Sequence, residues 1–124
     1  MGLSMSTWIY ARVSTLDQYV NGYSIDQQVR VCLEYARNNG YLLGLETNCD
    51  LPGVFIDGGK SAFKKKLCQR PGGLLLLGNA KPGDVIIALA TTRLFRQFND
   101  MVAVMDQWVQ AGVTVKFVDY PTLN

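Results

Sequence analysis

The segment Asp84-Val85-Ile86-Ile87-Ala88-Leu89-Ala90 constrains the fold of this 124-residue chain more than any other. It is apolar at nearly every position, follows the turn residues Lys81-Pro82-Gly83, and runs into Thr91-Thr92-Arg93. A strand with one wet face alternates apolar and polar residues. A strand without alternation is covered on both faces, as the inner strands of parallel sheets are. Parallel neighbours need long crossover connections, so the rest of the chain must supply helices for both faces.

Those helices can be read from spacing. Ser24 is placed to cap a helix running to about Asn39, with Gln27 as capping-box partner and Ile25, Val29, Cys32, Leu33 and Ala36 at helical intervals. Arg70-Pro71 opens a second helix, proline being tolerated in a first turn, which carries the leucine run to Ala80. Phe98, Met101, Val102, Met105, Trp108 and Val109 define the apolar face of a third, closed by Ala111-Gly112. Strands are expected at Thr7 to Val13, at Val54-Phe55-Ile56 before Asp57, and at Val113 to Val118, with a further strand start at Tyr41 to Glu46. The alternation predicts one α/β domain over residues 1–124, a three-layer, mainly parallel β-sheet with helices on both faces. A chain of this length buries one core and is too short for two ordinary domains.

Several function classes fall away on composition. The longest pure-leucine run is Leu74 to Leu77, far short of the roughly 20 apolar residues that cross a bilayer. The first residues lack a secretory or transit pattern, so a cytoplasmic location is the expectation. Cys32, Cys49 and Cys68 are odd in number and widely spaced, which fits reduced structural thiols rather than a disulfide framework or a metal pair. The chain has no histidine, which removes the Ser-His-Asp triad, the usual zinc sites and the commonest general base. A net charge of +2 does not by itself mark a nucleic-acid binder; local clustering decides.

In sheets of this architecture, ligands sit beyond the carboxyl ends of the strands. There the chain places Arg12 and Ser14 after the first strand, Asp57 after the second, and Arg93 with Arg96 after the central one. Arg93 and Arg96 are three apart, so a helical turn starting there would set both guanidinium groups on one face to clamp an anion. Arginine's permanent charge and planar fork suit phosphate, and several arginines around one hydroxyl can stabilise a crowded transition state and favour the alkoxide without histidine. Taken singly, each residue has an ordinary reading. Ser-Thr at a strand end is commonly a turn, Asp before two glycines a turn residue, and Lys64-Lys65-Lys66 a solvated loop.

The order of the motifs is what resembles a known family. Tyr10-Ala11-Arg12-Val13-Ser14-Thr15, Ser24-Ile25-Asp26-Gln27-Gln28, Val54-Phe55-Ile56-Asp57, Arg70-Pro71-Gly72, Gly83-Asp84-Val85-Ile86, Arg93-Leu94-Phe95-Arg96 and Phe117-Val118-Asp119 occur in sequence. Together they resemble the N-terminal catalytic domain of the resolvase/invertase serine recombinases, a family that includes the large serine integrases, from about Ile9 to Asp119. The resemblance implies a site-specific DNA recombinase in which Ser14 attacks a DNA phosphodiester, forming a 5′-phosphoserine intermediate before strand exchange and rejoining. It implies that Arg12, Arg70, Arg93 and Arg96 bind and polarise the scissile phosphate, with Gln18, Gln28 and Asp57 as supporting polar residues, Asp57 orienting arginines rather than taking the proton. It leaves the general base open.

Because a phosphoester bond is kept in the intermediate, rejoining implies no nucleotide cofactor and no metal. The partners implied are double-stranded DNA and, in the full-length family, a homodimer assembling into a synaptic tetramer, with no membrane. The dimerisation helix and DNA-binding domain of the family are expected to lie outside this chain. One departure stands at Thr92, where the family commonly has an aspartate: threonine keeps a hydrogen bond but not the ion pair to the following arginine. Two other readings compete. A degenerate recombinase domain acting as a protein-interaction module fits Thr92. A P-loop nucleotide site is suggested by Gly58-Gly59-Lys60-Ser61, but the motif needs glycine where Val54 stands.

Overall fold

The computed structural model describes residues 5–13, 24–58 and 65–118. In order they form β1 (Thr7–Arg12), α1 (Ile25–Asn38), β2 (Val54–Asp57), a 3-10 turn (Leu67–Gln69), α2 (Pro71–Asn79), β3 (Val85–Ala88), the single turn α3 (Thr91–Leu94), α4 (Phe98–Ala111) and β4 (Thr114–Phe117). The four strands make one all-parallel sheet in the order β2-β1-β3-β4. The α/β expectation therefore holds, with the apolar run beginning at Asp84 forming the inner strand β3, buried at every position.

Alternate residues of each strand feed two cores. Trp8, Tyr10, Phe55, Ile86 and Ala88 pack with Leu76 of α2 and with Val104 and Trp108 of α4. Ile9, Ala11, Val54, Val85 and Ile87 pack on the other face with Val29, Cys32 and Ala36 of α1. The chain thus crosses one face after β1 and the opposite face after β2. The connection changes sides between β1 and β3, and the crevice at such a switch point is where parallel sheets bind ligands.

Local chemistry fixes the helix ends. Gln27 N donates to Ser24 Oγ at 3.1 Å and Ser24 N to Gln27 Oε1 at 2.9 Å, completing the capping box. Pro71 opens α2, and Gly112 ends α4 in the left-handed region at φ 82°. Two expectations need correction. The segment from Tyr41 makes only a single bridge, Thr7 to Leu43, because β2 and β3 already occupy the two edges of β1 from Ile9 onward. On α4 the sheet-facing stripe runs through Met101, Val104 and Trp108, which leaves Phe98 and Val109 72% and 71% exposed; the helix carries more than one apolar stripe, and only one can face the sheet.

β2 lies at one edge of the sheet, where unpaired backbone groups invite pairing with another chain. Side chains close it. Asn48 accepts from Ile56 N at 2.8 Å through Oδ1 and donates to Ile56 O at 2.9 Å through Nδ2, while Thr47 Oγ1 donates to Val54 O at 2.6 Å. Among the described residues no helix is long and apolar enough to cross a membrane.

Candidate functional site

The carboxyl ends of β1 and β3 converge through their arginines. Arg12 ends β1, in register with Asp57 of β2. Its Nε donates to the Arg93 carbonyl at 3.0 Å and its Nη2 to the Thr92 carbonyl, while Arg93 Nη1 reaches the Arg12 carbonyl at 3.4 Å. The end of the strand and the turn α3 are therefore tied in both directions. Gln28, fully buried on α1, holds the same point from the other face: its Nε2 donates to Arg12 O at 2.9 Å and its Oε1 accepts from Arg12 N at 3.3 Å.

Arg70 enters from the start of α2. Its Nε and Nη2 donate to the Lys65 carbonyl at 3.2 and 3.0 Å, and its Nη1 to the Leu94 carbonyl at 2.8 Å and to Tyr10 Oη at 3.2 Å. The Tyr10 hydroxyl in turn donates to Asp57 Oδ2 at 2.6 Å. Asp57 also takes the Gly72 and Gly73 amides at 2.8 and 2.9 Å, so a carboxylate on β2 caps the N-terminus of α2, the favourable end of the helix dipole. Both glycines are required by close approach: a Cβ at Gly72 would lie 2.5 Å from Ile56 O, and one at Gly73 2.2 Å from Leu67 O.

Burial pushes the Tyr10 phenol well above its ordinary pKa, and the Asp57 charge adds to it. Tyr10 consequently stays protonated, passing the negative character of Asp57 toward Arg70 as a fixed hydrogen bond. Arg12, Arg70 and Arg93 are at most 7% exposed, whereas Arg96 is exposed. The expected helical pairing of Arg93 with Arg96 does not form. The helix ends at Leu94, and Phe95 is extended at φ −128° and ψ 139°, which turns Arg96 outward to the rim of a cleft of about 150 Å³ shared with Thr92 and Phe98.

Thr92 acts through its backbone. Its carbonyl holds Arg12 and its side chain is exposed, so the contact does not depend on which side chain stands there. Ser14 and Gln18 lie outside the described residues, as do Gly59, Lys60, Ser61, Lys64 and Asp119. Among the described residues no group of three or more His, Cys, Asp or Glu gathers as a metal site.

Tyr10 and the two glycines of α2 are the site residues that sequence reasoning missed. The signal was present for Tyr10: strand residues two apart share a face, and Tyr10, Arg12 and Ser14 are spaced by two. A larger groove of about 660 Å³, lined by Ile25, Val29, Leu33 and Leu51, lies along α1 and includes none of these four arginines.

Comparison with known proteins bears on the family and the fold. Residues 7–124 match the family model described as "Resolvase, N terminal domain". Among solved structures, the N-terminal catalytic domain of TP901-1 integrase superposes with a TM-score of 0.73 at 25% identity, covering 93% of this chain and 79% of that one. The C-terminal catalytic domain of ISC1926 TnpA, an IS607-like serine recombinase, superposes with a TM-score of 0.66 at 23% identity, covering 92% of this chain and 67% of that one, and supports the fold. No curated protein matches the chain.

Proposed function

The chain belongs to the resolvase N-terminal domain family, and from that premise we propose that it cuts and rejoins DNA as the catalytic domain of a site-specific serine recombinase. Ser14 Oγ attacks the scissile phosphorus. A serine–phosphorus bond forms and the bond to the 3′ oxygen breaks; the serine gives up its proton, and the leaving oxygen gains one. The DNA 5′ end is then held as a phosphoserine, and a 3′ hydroxyl from the exchanged strand reverses the step, so the phosphoester energy is retained.

The observation that carries this reading is the reciprocal tie between Arg12, two residues before Ser14 in the chain, and Arg93, in the turn α3 that follows β3. It gathers cationic donors at the end of the strand that leads into the nucleophile. A guanidinium has five donors, so main-chain carbonyls can set its plane while it also contacts a phosphate. Arg12, Arg70, Arg93 and Arg96 take the phosphate charge in this reading. Gln28 fixes the backbone of Arg12, Asp57 orients Arg70 through Tyr10, and Gln18, four residues after Ser14 in the sequence, supplies a further polar group. Double-stranded DNA is the substrate, a dimer assembling into a synaptic tetramer is the working form, and the location is cytoplasmic.

The test is covalent capture. Protein incubated with supercoiled DNA carrying its recombination site should yield a protein–DNA adduct on a denaturing gel that disappears in Ser14→Ala. A complete lack of adduct from the unaltered protein under all conditions would overturn the proposal in favour of an interaction module.

A further inference from the structure

We propose that Asp100 is a positioning residue that sets the spacing between Arg70 and the segment carrying Arg93 and Arg96; the catalytic meaning of that spacing rests on the recombinase reading above. Asp100 is a buried carboxylate in the first turn of α4. Its Oδ2 accepts from the backbone N–H of Leu67 at 3.0 Å. Leu67 begins the 3-10 turn that delivers Arg70, and its own carbonyl accepts from Arg70 N at 3.2 Å.

The same two stretches of chain are joined a second time, by Arg70 itself. Its guanidinium spans from the Lys65 carbonyl, on the 65–70 stretch, to the Leu94 carbonyl, on the 91–100 stretch. Asp100 thus bolts together the two pieces of backbone between which the Arg70 side chain is stretched. If the bolt is removed, the distance from Lys65 O to Leu94 O is no longer set, and Arg70 must give up one acceptor or the other. At the other end Arg93 stays tied to Arg12 in both directions, so the displacement falls on Arg70. Leu67 is fully buried in the core on that face, so the turn stays packed and the disturbance is directed to its polar side. A shift of about 1 Å in a group that binds a transition state lowers rates roughly 100-fold.

Two measurements test this. In arginine side-chain NMR the Arg70 Nε–H should exchange slowly in the unaltered protein and at least roughly tenfold faster in Asp100→Ala, together with the Leu67 amide, since both bonds open when the bolt is lost. Loss of protection at Leu67 with Arg70 unchanged overturns the proposal, because Asp100 then only fastens the turn. Should Asp100→Ala fail to fold, Asp100→Asn keeps an oxygen acceptor without the charge; a smaller loss at both protons is expected, and loss at Leu67 alone again overturns the idea.

In the adduct assay Asp100→Ala should slow Ser14-dependent cleavage roughly 10- to 100-fold at unchanged DNA affinity. The Arg70→Ala/Asp100→Ala pair should be no slower than Arg70→Ala alone. Rates that multiply instead would place Asp100 outside the Arg70 pathway and sink the proposal. If the unaltered protein forms no adduct at all, the recombinase reading fails, and the exchange data still decide whether Asp100 sets Arg70.

Discussion

Tyr10 is a phenol that the fold keeps from ionising. Its proton lies on the short bond to Asp57, and burial first, then the neighbouring carboxylate, holds its pKa above the ordinary tyrosine range. Tyr10→Phe removes a donor to Asp57 and an acceptor for Arg70 with almost no change of shape. We expect a loss of about 1–2 kcal/mol in urea unfolding and a slower adduct-forming step at unchanged DNA affinity. The buried Cys32 thiol offers a separate check, because burial pushes its pKa up to about 12. Its folded-state pKa lies above the unfolded value of about 8.5, so the neutral thiol's contribution is fully present below that pH and is lost as pH rises toward the folded value. Unfolding free energy should therefore fall between pH 8 and pH 11, and the fall should vanish in Cys32→Ala once the other alkaline titrations are subtracted. At pH 8, a thiol reagent should modify exposed Cys68 and leave Cys32 untouched until denaturant is added.

At the scale of elements, the N-terminus of α2 depends on a residue fourteen positions upstream. Pro71 supplies no N–H, and the next two amides both end on Asp57. A side chain at Gly73 would force the helix away from Leu67 O, so Gly73→Ala should cost about 1–3 kcal/mol by urea unfolding and loosen the Asp57 contacts. This dependence explains which elements were legible in the sequence. The capping box of α1 and the apolar run of β3 are local signals, and both elements appear where those signals put them. The buried face of α4 is not legible locally, because Phe98, Val102 and Val109 continue a helical spacing that the sheet does not use; which apolar stripe is buried is decided by packing against β1 and β3 rather than by the helix. The Arg93 and Arg96 pairing failed for a similar reason. Helical spacing assumes a continuing helix, and Phe95 leaves it to enter the core beside Trp108.

Across the whole molecule, strand ends and arginines could be foreseen, and the ties between them could not. Asp57 and Tyr10 are 47 residues apart, and Arg12 meets Thr92 and Arg93 some 80 residues on. No periodicity encodes such distances; the family motif order stood in for them. One global property can be tested without DNA. Asn48 mimics a neighbouring strand along β2, so Asn48→Ala should free two backbone groups at the sheet edge and increase concentration-dependent self-association, measured by sedimentation, while leaving α1 and its helical content intact.

The central place of β1 also has a consequence in time. It leaves the ribosome before both of its partners, which begin at Val54 and Val85. Until Val85 has emerged, six consecutive residues destined for complete burial have no neighbour on at least one side. Closure of both sides of β1 waits until β3 has emerged, and a nascent chain stalled before Val85 should be held by chaperones or clump rather than rest in a half-built native form.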